Sequence, residues 1–191
     1  MHLSARPALF LDRDGVINVD HGYVCTQEQF ELVEGVLELC RHARELGYLI
    51  FVITNQAGIG RGYYTEQEFL EFTEWMCGVF EAHGASIDKV YFCPSHPEHG
   101  VGKYRIDSPF RKPGPGMILQ AAEEFDVDLE RSVLVGDKES DIKAGLAAGI
   151  GCNLLYQPVA ANVPVPGGSS AASVIRSLAD AAPFLVAQLA R

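Results

Sequence analysis

Two carboxylates one residue apart, Asp12 and Asp14, close the apolar run Ala8-Leu9-Phe10-Leu11 and are followed at once by Gly15. A short apolar run ended by glycine reads as a buried strand feeding a turn. Side chains alternate along a strand, so Asp12 and Asp14 point the same way from its C-terminal end. Ligands of open α/β sheets bind beyond that end. Two carboxylates there cannot both be ionised cheaply unless a cation joins them or one keeps a proton. The pair therefore points to Mg²⁺, which favours hard oxygen ligands, and to the phosphate that Mg²⁺ often accompanies. A polar loop at a strand end is the plainer alternative, and D-x-D alone does not separate the two.

Three further sets of polar groups end strands or stand in loops beside them: Thr54, Arg111-Lys112 and Asp137. Taken singly, a threonine there is usually a cap and a lysine before proline is usually solvated. Together they complete a set for phosphoryl transfer. A carboxylate attacks phosphorus and splits one hydrolysis into two steps. A second acid protonates the leaving oxygen and then serves as base towards water. A hydroxyl and an ammonium hold phosphate oxygens, and Mg²⁺ offsets the crowded charge. Asp137 completes the metal site.

The elements that must position these groups alternate strand with helix. Strands are expected at Tyr48–Ile53, Val90–Cys93, Val133–Val135 and Cys152–Tyr156. Helices are expected at Val36–Leu46, stopped by Gly47; after Thr65, which forms a capping box with Glu68; at Gly116–Phe125; and at Ser140–Ala148, stopped by Gly149. Val16 to Val24 reads as a polar flap over the first strand, and the stretch holding Gly58, Gly60 and Gly62 as a glycine-rich loop. The segment 94–110 is long for a compact domain and reads as functional. Residues 157–172 read as a Pro/Gly/Ala/Ser-rich connection, followed by a small edge strand at 173–175 and a last helix capped by Ser177. The pattern implies α/β architecture, a parallel sheet with helices on both faces. A single domain is expected over 1–191, with its core at about 8–156 and a C-terminal extension at 157–191.

Composition narrows the partners. The chain has 191 residues, 48% of them hydrophobic, and a net charge of −10, which argues against a nucleic-acid or anionic-membrane binder. Five scattered cysteines without a C-x-x-C pair read as reduced thiols, and no apolar run has signal-peptide or membrane-span length. A cytoplasmic monomer acting on a small phosphorylated molecule is the expectation.

The pieces Asp12-Arg13-Asp14-Gly15, Thr54-Asn55-Gln56, Arg111-Lys112-Pro113 and Gly136-Asp137-Lys138 followed by Asp141 resemble the haloacid-dehalogenase (HAD) superfamily of phosphatases. That resemblance implies a three-layer, Rossmann-like, doubly wound parallel sheet. It implies Asp12 as nucleophile, Asp14 as general acid/base, and Thr54 and Lys112 as phosphoryl stabilisers. Mg²⁺ is implied between the Asp12 side chain, the backbone carbonyl of Asp14 and Asp137. The intervals between motifs are filled by the flap, the helices and the long loop, so no separate cap domain is expected.

Within the superfamily, Phe10 to Val24 and Thr54 to Gly62 resemble the heptose 1,7-bisphosphate 7-phosphatase family. The match implies substrate contacts from Asp20, His21, Gly22, Tyr23, Asn55, Gln56, Ala57, Arg111 and Lys138, and a role in cell-envelope heptose synthesis. Arg13 reads as facing away, structural or peripheral to the chemistry. Histidinol-phosphate phosphatase is the nearest alternative, and a catalytically silent binding module is the alternative from another class. Both families usually carry a zinc loop, from which this chain departs: Ser95, Ser108 and Phe110 replace ligands. Structural Zn²⁺ is therefore not expected, unless Cys93, His96 and His99, with Asp107, rebuild a remnant site.

Overall fold

The computed structural model describes residues 5–158 and 173–190. The first apolar run becomes strand β1 (Ala8–Leu11), buried throughout. It is followed by β2 (Leu49–Asn55), β3 (Lys89–Cys93), β4 (Val133–Gly136), β5 (Cys152–Tyr156) and β6 (Ser173–Ile175). All pair in parallel, in the order β3-β2-β1-β4-β5-β6. The helices are α1 (Val36–Glu45), α2 (Ala57–Gly60), α3 (Glu66–Ala82), α4 (Gly116–Phe125), α5 (Glu139–Ala148) and α6 (Ala182–Leu189).

Strand alternation builds two cores. Leu9, Leu11, Ile50, Val52, Val133 and Val135 face one side, against α1, Met76 and Phe80 of α3, and Leu185 of α6. Ala8, Phe10, Phe51, Ile53 and Leu134 face the other, against Met117, Ile118 and Ala121 of α4 and Ile142 and Ala144 of α5. A parallel sheet covered on both faces needs such continuous apolar strands. The result is three layers with no distinct cap domain among the described residues. β1 lies between β2 and β4, so the strand order turns there, and crevices for ligands form where it turns.

Local signals act as expected at several boundaries. Thr65 Oγ1 accepts from the Glu68 amide at 3.1 Å while Glu68 accepts from the Thr65 amide at 2.7 Å, starting α3. Gly47 and Gly149 take left-handed backbone at φ 86° and 89° and end α1 and α5. Three expectations are corrected. The glycine-rich loop contains a helical turn, α2. β2 runs on to Asn55 because Thr54 and Asn55 pair with Phe92 and Cys93. The flap is anchored rather than raised: Val16, Ile17 and Val24 are buried, and backbone bonds run from Val19 N to Glu31 O and from Val33 N to Ile17 O. The edge strand appears as β6, beside β5, whereas the connecting stretch from 159 to 172 lies outside the described residues.

Candidate active site

Asp12 follows β1 directly and continues its pairing, donating its amide to Val135 O at 3.1 Å. The side chain is buried, and Oδ1 accepts from the Arg13 amide at 2.7 Å. Lys112 Nζ lies 2.7 Å from the same oxygen and 2.8 Å from Asp141 Oδ1, and it donates to Ile53 O at 2.8 Å. Three donors thus meet three acceptors around a buried ammonium. Asp141 is fixed in the first turn of α5, where its Oδ2 accepts from the Lys138 amide at 2.9 Å. Gly136 ends β4 because a Cβ there would collide with the Asp141 side chain.

Burial pushes the Asp12 carboxyl up to about 8 against the opposing pull of Lys112, with Asp141 and Asp137 adding to the rise. Burial also raises Asp137, countered by Lys138 and reinforced by Asp141. For Lys112 burial acts downward, but Asp12 and Asp141 outweigh it and hold the ammonium protonated. The site is therefore short of positive charge.

One carboxylate oxygen from each of Asp12, Asp137 and Asp141 lies within 4.8 Å of the others. Asp137 Oδ1 is buried without a hydrogen-bond partner, an orphan that a cation would satisfy. A hard, all-oxygen, anionic donor set of this kind fits Mg²⁺. The carboxylate of Asp14 is outside the cluster, in keeping with the backbone-carbonyl role that the resemblance implies for it, and that of Asp141 joins the side-chain set. Asp141 carried a signal, since it sits four residues after Asp137 at a helix start.

Asp14 opens onto the same cavity as Asp12. Arg13 grips it in a fork, with Nη2 at 2.8 and 2.9 Å from its two oxygens. Asn18 and Gln56 donate to it as well, each at 3.1 Å. The reading of Arg13 as structural holds, but not its facing away. Its guanidinium is fully buried, lies over Phe69 and Phe72, and turns back along the chain onto its neighbour. Strand alternation does not govern it, because the strand has ended at Leu11.

A cavity of about 420 Å³, within the size range of small-molecule sites, brings together Asp12, Asp14, Thr54, Lys112, Arg111 and Lys138. Asp20, Gly22, Tyr23, Asn55, Gln56 and Ala57 also line it. Asn55 spends its amide on the Lys112 peptide groups, at 3.1 and 3.0 Å. Arg111 Nη1 donates to Ser95 O at 3.2 Å. Lys138 Nζ stands 3.5 Å from Asp20 and 3.4 Å from Asp137. His21 is not among the lining residues: its ring is half-exposed and turned to Glu31 at 3.1 Å, while Gly22 and Tyr23 beyond it adopt positive φ. Tyr64 and Ser140 line the cavity without any periodic signal in the sequence to mark them.

The remnant zinc site is not assembled. Among the described residues, the Asp12-Asp137-Asp141 group is the metal-capable cluster, and Cys93, His96 and His99 form none. His96 Nδ1 instead accepts from the Glu98 and His99 amides at 3.2 and 3.1 Å. Val101 N donates to Gly60 O and His96 N to Tyr104 O, so the loop is held by backbone bonds.

A family described as HAD-hydrolase-like matches residues 109–181. D-glycero-alpha-D-manno-heptose-1,7-bisphosphate 7-phosphatase of Burkholderia mallei is 56% identical over 178 residues, 93% of each chain. The chain belongs to the heptose-1,7-bisphosphate 7-phosphatase family. As a member of this HAD family it is an enzyme, a metal-dependent phosphatase with an aspartate nucleophile. D-glycero-beta-D-manno-heptose-1,7-bisphosphate 7-phosphatase of Vibrio cholerae is 43% identical over 95% of this chain and 97% of its own. D,D-heptose 1,7-bisphosphate phosphatase of B. bronchiseptica, solved with magnesium and phosphate, superposes with a TM-score of 0.77 at 28% identity. The superposition covers 95% of this chain and 99% of that one. No helix among the described residues is long and apolar enough to cross a membrane.

Proposed function

We propose that this chain removes the 7-phosphate of D-glycero-D-manno-heptose 1,7-bisphosphate, with the α anomer preferred, as a single-domain cytoplasmic monomer in lipopolysaccharide precursor synthesis. An Asp12 carboxylate oxygen attacks phosphorus and the bond from phosphorus to the sugar C7 oxygen breaks. Asp14 gives its proton to that oxygen. It then takes a proton from water, which attacks the aspartyl-phosphate, releasing inorganic phosphate and restoring Asp12. The Thr54 hydroxyl and the Lys112 ammonium hold the non-bridging oxygens. Asp12 and Asp137, the Asp14 carbonyl that the family resemblance implies, and Asp141 beside them would hold Mg²⁺, which supplies charge neutralisation at the phosphoryl group. Arg111 and Lys138, cations at the cavity wall, suit a substrate bearing a second phosphate. Asp20, Gly22, Tyr23, Asn55, Gln56 and Ala57 shape the space for the sugar, and His21 pins the flap to Glu31.

The observation that carries this reading is the buried Asp12-Lys112-Asp141 ring beside an orphaned Asp137 oxygen. The anomer follows the relative of 56% identity, whose name specifies the alpha form, over the beta-form relative at 43%. Phosphate release is to be followed with Mg²⁺ and with EDTA on both heptose bisphosphate anomers and on histidinol phosphate. Mg²⁺-dependent preference for the α anomer is expected. Preference for histidinol phosphate overturns the substrate, and turnover by Asp12→Asn overturns the mechanism.

A further inference from the structure

We infer that Tyr64, outside the motifs that mark the site, is a positioning residue: through Gln56 it sets both the Asp14 carboxylate and the Thr54 hydroxyl for phosphoryl transfer. The inference rests on the phosphatase reading above. Gln56 is buried, and its amide has three neighbours. Nε2 lies 3.1 Å from Asp14 Oδ2 and 2.8 Å from Thr54 Oγ1, and Oε1 lies 2.6 Å from the Tyr64 hydroxyl.

The direction of every bond in this chain follows from one end. In the ionised state that takes the proton from water, Asp14 accepts only, and the amide atom facing it is then the nitrogen, in keeping with the 3.1 Å contact from Gln56 Nε2. Both amide hydrogens are then committed, one to Asp14 and one to Thr54. Oε1 faces Tyr64 and accepts its single proton. Because Thr54 Oγ1 accepts from Gln56, its own O–H is free to donate elsewhere, and the cavity side is where a phosphoryl oxygen lies. One phenolic proton thus orders two groups of the site, one on β1's exit and one on β2. Burial raises the Tyr64 phenol well above its ordinary range, so it stays a donor.

The seat of this ring is built into the neighbouring turn. A Cβ on Gly58 would run into the Tyr64 ring, at 2.6 Å from Cζ and 2.7 Å from the hydroxyl oxygen. Glycine at 58 is what lets the phenol reach Gln56. Removing only the hydroxyl leaves a buried amide oxygen unsatisfied, and the amide gains by turning away from Asp14.

The test is a double-mutant cycle of Tyr64→Phe and Gln56→Ala, measured in the Mg²⁺-loaded full chain. Phenylalanine keeps the ring over Gly58, so folding is retained and is checked by Tm. On heptose 1,7-bisphosphate, Tyr64→Phe is expected to lower kcat about ten-fold with KM changed by less than about two-fold. On p-nitrophenyl phosphate, whose leaving group needs no proton, the loss should shrink to about two- to three-fold. In the Gln56→Ala background, Tyr64→Phe should bring no further loss. Losses that multiply in the cycle, a change confined to KM, or wild-type kcat in Tyr64→Phe would each overturn the proposal. The two readings fail separately. A wild-type chain inert on heptose bisphosphate but active on another alkyl phosphate sinks the substrate, and the same cycle on that alkyl phosphate still decides the role of Tyr64.

Discussion

Replacing Lys112 by methionine removes the ammonium but keeps the length of the side chain. In the wild type its three bonds reach Asp12, Asp141 and Ile53 O, and its side chain is only 2% exposed. The variant leaves two buried carboxylates facing each other, with Asp137 close by. Breaking a buried ion pair from one side costs about 3–5 kcal/mol. Protonation relieves part of this, because burial already pushes the Asp12 carboxyl up to about 8. For a domain of this size each kcal/mol moves Tm by about 2–4 °C, so a fall of roughly 10 °C is expected in metal-free protein at pH 8. Mg²⁺ held by the same carboxylates would supply the missing charge. At about a hundred times its Kd it returns roughly 2.7 kcal/mol, most of the loss. The assay is differential scanning fluorimetry with EDTA or with a Mg²⁺ titration, at pH 6 and pH 8. The loss should be smaller at pH 6, where Asp12 holds a proton. A Lys112→Met protein melting within 2 °C of wild type in EDTA at pH 8 would refute the charge argument, as would a Mg²⁺ response no larger than in wild type.

Other outcomes follow from the same geometry. Asp12 has a folded pKa raised above its ordinary 3.8, so the folded chain binds more protons than the unfolded one between about pH 4 and pH 8. Its contribution to stability therefore falls as pH rises, and metal-free Asp12→Asn should gain on wild type from pH 5 to pH 8 in parallel melts. Mg²⁺ must displace that proton, so at pH 7 calorimetry in buffers of different ionisation enthalpy should register proton release on binding by wild type and less by Asp12→Asn. Gly15 holds φ 102°, and a Cβ there would strike Asp137, so Gly15→Ala should weaken Mg²⁺ binding at least ten-fold by titration and lower Tm by several degrees. Arg111→Ala, which removes a cavity-wall cation without touching Asp12, should raise KM for the bisphosphate about ten-fold or more while kcat changes little.

Much of this was legible in residue order. The apolar strands, the glycine stops and the Thr65-Glu68 box each act within a few residues, so the sheet and its helices could be read locally. Asp12, Thr54 and Asp137 were legible because each sits where a strand ends, and Lys112 because it stands in the Arg-Lys-Pro turn that leads into α4. Arg13 was misread because alternation was carried past the last residue of β1, where the chain is already turning. His21 depends on the same kind of turn: two positive-φ residues follow it, and its ring goes to Glu31. Tyr64 was invisible, since its importance comes from a glycine six residues earlier and an amide eight residues earlier, meeting only in three dimensions. The buried valines and isoleucine of the flap were overlooked because the polar residues among them dominate its composition.

The paired bonds between the Asn55 amide and the Lys112 peptide groups have a wider meaning. They imitate one rung of a β-ladder, made by a side chain across 57 positions of sequence. Lys112 is thereby moored to the end of β2, and the long excursion before it hangs from two fixed ends. Residues 94–110 can change length or acquire new side chains while the Lys112 ammonium stays where it is. The fold separates a variable surface segment from the ammonium beside Asp12, and a lineage can remodel the first while keeping the second.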